Sequence, residues 1–292
     1  MKAGDRARLS DVKQEGSMRH LMMRRTTVVG CGVAVLALGG AGAAIAASGS
    51  IVADSGKVSR AEAAKLARTF ALRTVAPSAA FAARPPYGRV AATSTKRLAG
   101  FPRSGKSYMI LSNGHATSAD DKNSSGSKSQ NAGGPSIRGA RDVTIFRVNL
   151  KVPKNANCLS FRFRFLTEEF PEFVKKEFND AFIAELDETT WSTNTLGSPK
   201  IDAPRNFATG PQGKLISVNG VGDTSVSKAQ AKGTTYDGAT RVLRASSRIK
   251  PGNHRLYLSI FDQGDRQYDS SVFIDKLTLT NSASCNTGVI VD

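Results

Sequence analysis

The sequence predicts an all-β protein: an antiparallel β-sandwich, jelly-roll-like, with a short N-terminal helix that follows a signal peptide. Three observations predict it. Stretches such as CLSFRFRFL and SSVFIDKLTLT alternate apolar and polar residues at a period of two, the spacing of a strand with one buried face. The 27 glycines, with many Ser, Thr and Asn, cut the chain into short segments joined by polar loops. Only one segment, after Ser59, carries a helical pattern.

The elements follow in chain order. Arg24 and Arg25 precede the uncharged run TTVVGCGVAVLALGGAGAAIAA, with Ala44 and Ala46 in an A-x-A arrangement, which predicts a signal peptide with an extended n-region over residues 1–47. The run is also about long enough to span a bilayer, so an uncleaved anchor is the alternative. Residues 48–99 form a basic N-terminal segment. Within it Ser59 and Glu62 make a capping box, and Ala63, Leu66, Ala67 and Phe70 fall on one side of a helix. APSAAFAARPPYG, from Ala76 to Gly88, reads as an extended connection.

The sandwich is assigned to residues 100–286 and a tail to 287–292. Its strands are expected in KSYMILSN, DVTIFRVNLKV, CLSFRFRFL, FNDAFIAEL, GKLISVNGV, TRVLRASSRI, HRLYLSIFD and SSVFIDKLTLT. In FRFRF, Phe161, Phe163 and Phe165 are expected to face the core, and Arg162 and Arg164 water. In FNDAFIAEL, Phe178, Phe182 and Leu186 are expected on one face. The polar stretches from Ser118 to Pro135 and from Trp191 to Gly213 are long loops.

Of three cysteines, Cys31 leaves with the leader, and an even pair in an exported chain is most simply a Cys158–Cys285 disulfide. The net charge of +17 invites a nucleic-acid reading. The basic residues are scattered through the leader, the segment from Arg84 to Lys106 and the strands, with no helix-turn-helix or RNA-binding pattern, so no nucleic-acid partner is expected.

Against this basic background two turns are acidic. Glu168, Glu169, Glu172, Glu177 and Asp180 surround Pro171, and Asp262, Asp265, Asp269 and Asp275 follow the strand RLYLSIFD. Such concentration is repulsive unless something positive sits within it. Two candidates are open: a hard cation such as Ca2+, which takes six to eight oxygens, or the protein's own Arg266, Lys175 and Lys176. Asn179 and Asp180 also have a local role, since such side chains bond backbone at a bend.

FRFRFLTEEFPEFVKKEFNDAFIAEL and LSIFDQGDRQYDSSVFIDKLTL together resemble the paired signature of the choice-of-anchor L domain family, whose patterns read roughly F-x-F-x-S-E-E-Y-x-E-F-V, F-N-D-x-F and D-x-G-D-x-x-Y-D-S-x-V-F-I-D. ILSNGHATSADDKNSSG resembles a further short strand and loop of that family, so the likeness runs from about Gly100 to Asn281. Thr167 and Phe170 depart from the usual Ser and Tyr. The resemblance implies an extracellular bacterial β-sandwich with no established catalytic activity. It makes Glu168, Glu169, Asn179, Asp180, Asp262, Asp265, Asp269 and Asp275 the signature positions; on the reading of the acids as cation ligands, the same residues are the expected metal site.

The chain stops at NTGVIVD with no sorting signal, so the expectation is a secreted protein, with attachment at the cell surface by an uncleaved N-terminal segment as the alternative and the only route to a membrane. The expected activity is non-enzymatic: a calcium-stabilised module that binds an extracellular or cell-wall polymer or acts in adhesion, with Trp191 and Tyr236 as stacking residues for sugar. The alternative is a glycoside hydrolase pairing Glu168 or Glu169 with Asp262 or Asp265, which needs two carboxyls facing each other across a cleft. No G-x-S-x-G elbow, phosphate-binding loop or histidine-rich metal motif points to other chemistry.

Overall fold

A computed structural model describes residues 50–53, 58–123, 130–193 and 200–292. The expected signal peptide and Cys31 lie outside the described residues, as do parts of both long loops. No described helix is long and apolar enough to cross a membrane.

The strands are β1 (Ile51–Ala53), β2 (Ser78–Ala83), β3 (Ala91–Ser94), β4 (Tyr108–Ser112), β5 (Arg141–Val152), β6 (Cys158–Thr167), β7 (Ala181–Leu186), β8 (Ser192–Thr193), β9 (Ile201–Asp202), β10 (Ile216–Ser217), β11 (Gly238–Ala239), β12 (Leu243–Arg248), β13 (Gly252–Asp262), β14 (Ser270–Thr280) and β15 (Gly288–Val291). One sheet runs β1-β3-β4-β14-β6-β12-β15, with β11 also on β6; the other runs β10-β7-β13-β5-β2. All these ladders are antiparallel. The helix α1 (Arg60–Ala67) begins at the expected capping box, with Ser59 Oγ accepting from Glu62 N at 3.2 Å and Glu62 Oε2 from Ser59 N at 2.8 Å.

The period-two pattern builds the layer between the sheets. Phe161, Phe163 and Phe165 of β6, with Val272 and Ile274 of β14, meet Phe146, Phe182, Leu258 and Ile260 from the opposite sheet. Three aromatic contacts, Phe161–Phe182 at 6.3 Å and Phe161–Phe207 at 6.0 Å edge-on and Phe163–Phe182 at 5.0 Å tilted, lock this centre.

Long loops cover the outer faces as well, which changes several expectations. Phe101, Ala116, Ala231 and Tyr236 seal the outside of the larger sheet over Tyr108, Ile110, Leu166 and Phe273. Arg164 therefore does not face water. It is buried, its desolvated guanidinium is lowered to about 10, and it donates to the Gln230 carbonyl at 2.9 Å and Gln230 Oε1 at 2.8 Å. Phe178 does not share the β7 face with Phe182; it lies before the strand and packs edge-on against Phe173 at 5.2 Å.

The N-terminal segment and the tail are part of the sandwich and not appendages to a 100–286 core. β1 and β3 extend the larger sheet, β2 edges the smaller one against β5, and β15 pairs with β12. The expected disulfide is present, joining Cys158 at the start of β6 to Cys285 with Cα atoms 5.6 Å apart.

Candidate functional site

Antiparallel pairing brings the acidic turns to one pole. β4 and β6 of one sheet and β13 of the other end there, while β14, β5 and β7 begin there. Glu168 and Glu169 leave β6, Asp180 enters β7, Asp262 closes β13, Asp269 precedes β14, and Asp142 opens β5. Backbone ties hold the turns together: Glu168 N to Asp269 O at 3.1 Å, Asn179 N to Gln263 O at 3.4 Å and Asn113 N to Ser270 O at 3.2 Å.

The acids divide into two groups. Glu169, Asp262 and Asp265 each bring a carboxylate oxygen within 4.8 Å of the others, an arrangement that can hold a metal ion. Glu169 and Asp262 are each 1% exposed, whereas Asp265 is only half-buried. Asp262 Oδ1 is buried and meets no hydrogen-bond donor. Burial pushes the Asp262 carboxyl well up, and the charges of Asp180, Glu169, Asp265 and Asp142 push it further; among the described residues no cationic side chain offsets them. Glu169 is raised by burial and by Asp180, against one bond from Asp180 N at 3.2 Å.

Asp180 lies beneath this trio. Its Oδ2 accepts from Asn113 Nδ2 at 2.8 Å and its Oδ1 from Gln263 N at 3.2 Å, yet complete burial still pushes its pKa up to about 8.

The remaining acids are engaged elsewhere. Asp269, pushed up to about 7 by burial, accepts from Gln130 N at 3.0 Å and presses against Gly114, where a Cβ would stand 2.0 Å from Asp269 Oδ2. Any side chain there would have to displace the Asp269 carboxylate. Glu168 Oε1 accepts from Thr235 Oγ1 at 3.4 Å, and Asn179 Oδ1 from Asn219 N at 3.0 Å.

Asp275 is not at the pole with the trio. It accepts from Arg103 N at 2.6 Å, Ser104 N at 2.7 Å and Lys276 N at 2.6 Å, on the part of β14 that pairs with Arg162. Glu172, Glu177, Lys175 and Lys176 are exposed, so these lysines do not neutralise the trio. Arg266 is also committed: it pairs with Asp142 and donates to the Gly134 carbonyl.

Trp191 and Tyr236, expected as stacking residues, are core residues instead. Trp191 is fully buried, stacked on Phe261 with centroids 4.1 Å apart, and its Nε1 donates to Ser259 Oγ at 3.0 Å. Tyr236 is 3% exposed and its hydroxyl meets Ser271 Oγ. Neither offers a ring face to a sugar.

Sequence reasoning missed Asp142, Asn113 and Gly114, which complete the pole. Asp142 reads as the polar start of a strand, and Asn113-Gly114 as an ordinary turn pair. The signal available was that both lie at ends of strongly predicted strands, where loops of a sandwich converge.

Among solved structures, that of TmCBM61 in complex with β-1,4-galactotriose aligns with a TM-score of 0.27 and 9% identity, over 70% of this chain and 87% of that one. The K2 cleaved adhesin domain of Lys-gingipain aligns at 0.24 and 12%, over 63% and 77%. Likenesses this weak carry nothing about function. No curated protein matches the chain. The choice-of-anchor L domain matches residues 94–280, which include every acid of the pole, and the chain belongs to that family.

Proposed function

We propose that the chain is an exported, non-enzymatic β-sandwich module whose acidic pole holds a calcium ion and whose loops bind an extracellular or cell-wall polymer. Asp262 carries the cation reading: a buried carboxyl with an unpartnered oxygen among several acids must take up a proton or a positive ion, and a cation shared with Glu169 and Asp265 would relieve all three at once. An all-oxygen donor set at loop ends suits a hard cation. Ca2+ tolerates irregular coordination where Mg2+ demands a near-ideal octahedron. Family membership, the basic and apolar leader and a disulfide support an oxidising, exported setting.

The hydrolase alternative fits less well. Its acid and its base or nucleophile must reach a sugar, and Glu168, Glu169 and Asp262 are each at most 2% exposed.

The test is calorimetric titration of the chelator-stripped full chain with CaCl2 and, separately, MgCl2. One calcium site is expected, with loss of the heat in Glu169→Gln and Asp265→Asn. Absence of both binding heat and a thermal shift would sink the cation reading. Glycan hydrolysis that disappears in Glu169→Gln would replace the binding module with an enzyme.

A further inference from the structure

The three carboxylates of the pole sit at different depths, and the difference has a direction. Glu169 and Asp262 lie inside, while Asp265 reaches a shallow depression that it lines with Asn131, Arg141, Gly264, Arg266 and Gln267. Three carboxylates supply between three and six oxygens, fewer than a calcium ion takes when any of them binds through one oxygen only. Of the three, Asp265 alone lines the depression, so a ligand there would reach a bound ion through Asp265.

The rim supplies hydrogen-bonding groups. Arg266 is held by Asp142 and the Gly134 carbonyl, but Arg141 has no ion-pair partner among the described residues. Asn131 and Gln267 are exposed amides. The depression itself is lined by no aromatic or aliphatic side chain, so it suits a hydroxyl-rich ligand better than an apolar one.

An exposed aromatic ring packs on the segment that follows Asn131. Tyr87 is 79% exposed, the one aromatic among the large apolar side chains that project into solvent from the described residues. It is anchored to the segment that follows the lining residue Asn131: Tyr87 N donates to the Ala132 carbonyl at 3.0 Å, and the ring lies so close to Gly133 that a Cβ there would come within 2.7 Å of Tyr87 Cδ2. Residues Asn131 to Gly134 thus contact both Arg266, through Asn131 and Gly134, and the tyrosine, through Ala132 and Gly133. An exposed ring held against backbone loses little freedom when a sugar stacks on it.

We propose that this depression is a polysaccharide site, in which adjacent hydroxyls of a neutral sugar complete the coordination of the calcium ion at Asp265 while Arg141, Asn131 and Gln267 donate to its oxygens and Tyr87 stacks on a neighbouring sugar ring. The inference rests on the cation reading above. A neutral diol is the matching chemistry, because the three carboxylates are already balanced by one divalent ion and Arg141 together.

The experiment is affinity electrophoresis of the full chain through gels containing mannan, galactan, arabinan or β-glucan, with calcium or with chelator, beside thermal unfolding in the same buffers. Retardation by at least one polysaccharide is expected in calcium and not in chelator. Tyr87→Ala should weaken it about three- to tenfold, and Arg141→Ala should weaken it measurably, with the calcium-induced thermal shift intact in both.

A calcium-induced shift with no retardation in any gel overturns the sugar site and leaves the cation reading standing. Retardation that persists in chelator, or that Tyr87→Ala leaves unchanged, overturns the proposed geometry. Absence of any calcium response removes the underlying reading and the sugar site with it.

Discussion

Replacing Asp262 by Asn should have opposite consequences with and without calcium. Glu169 and Asp262 are both 1% exposed and present oxygens within 4.8 Å. Two full charges at that separation repel by about 3.5 kcal/mol at an effective dielectric of 20, and proton uptake by the raised carboxyls relieves part of this. In chelator at pH 8, Asp262→Asn should therefore be more stable than the parent by about 1–3 kcal/mol. In calcium the order should reverse. An ion present at a hundred times its dissociation constant stabilises the parent by about 2.7 kcal/mol, roughly 5–11 °C for a domain of this size, and the variant lacks a ligand. The assay is thermal unfolding of both proteins in chelator and across a calcium series. A variant destabilised equally in both buffers would refute the reasoning, since it would make Asp262 an ordinary structural residue.

The pole should also make the cation-free protein sensitive to base. Asp180 is raised to about 8 and Asp269 to about 7, mainly by burial. A raised carboxyl holds its proton longer in the folded state than in the unfolded chain, so stability in chelator should fall as pH rises from about 4 to 8, and saturating calcium should flatten that slope in melts at each pH. Gly114→Ala should cost about 1–3 kcal/mol in denaturant unfolding, because the new Cβ meets Asp269 Oδ2 at 2.0 Å and something must move. Trp191→Ala should cost about 3–5 kcal/mol by the same assay, through loss of the Phe261 stack and the Ser259 bond, and it should leave polysaccharide retardation unchanged. Cys158→Ser should lower stability by about 3–5 kcal/mol, given the 127-residue separation it releases, while preserving the calcium-induced shift within about 0.5 kcal/mol.

The strands that alternate over many residues were legible, and β4, β5, β6, β12, β13 and β14 lie where their patterns put them. The N-terminal capping box and the disulfide were legible for a similar reason: each is a local or pairwise rule with few competitors. What escaped was set by tertiary pairing. β2 is SAAFAA, which carries little alternation and becomes a strand because β5 offers an edge. β15 gains its identity from β12 in the same way. Arg164 looked solvent-facing by parity, and parity was right about the face but silent about the loop that covers it. Trp191 was expected to stack on sugar, but sequence cannot show that its neighbours in space are Phe261 and Ser259. Composition marked the acids as unusual, and only the strand-end geometry separated Glu169, Asp262 and Asp265 from Asp275, which serves backbone amides of another turn.

The placement of the two closures on β6 gives the acidic pole a structural logic beyond any ligand. Cys158 opens this strand and Glu168 follows its end, so the disulfide and the acids are separated by about 30 Å at the rise of an extended chain. Between them the core is apolar, with Phe161, Phe163 and Phe165 on one face and Leu166 beneath a loop on the other. Sandwich layers of this kind are held along their length by side-chain burial, but at the poles the strands diverge into loops whose contacts are polar. A covalent bond secures the pole where Cys285 arrives. At the other, six strands from both sheets converge on carboxylates that repel one another, and without an ion that pole would be the place where the sandwich opens first. A calcium ion there would join the sheets as the disulfide joins β6 to the C-terminal segment, and would make closure of that pole depend on an ion abundant outside cells.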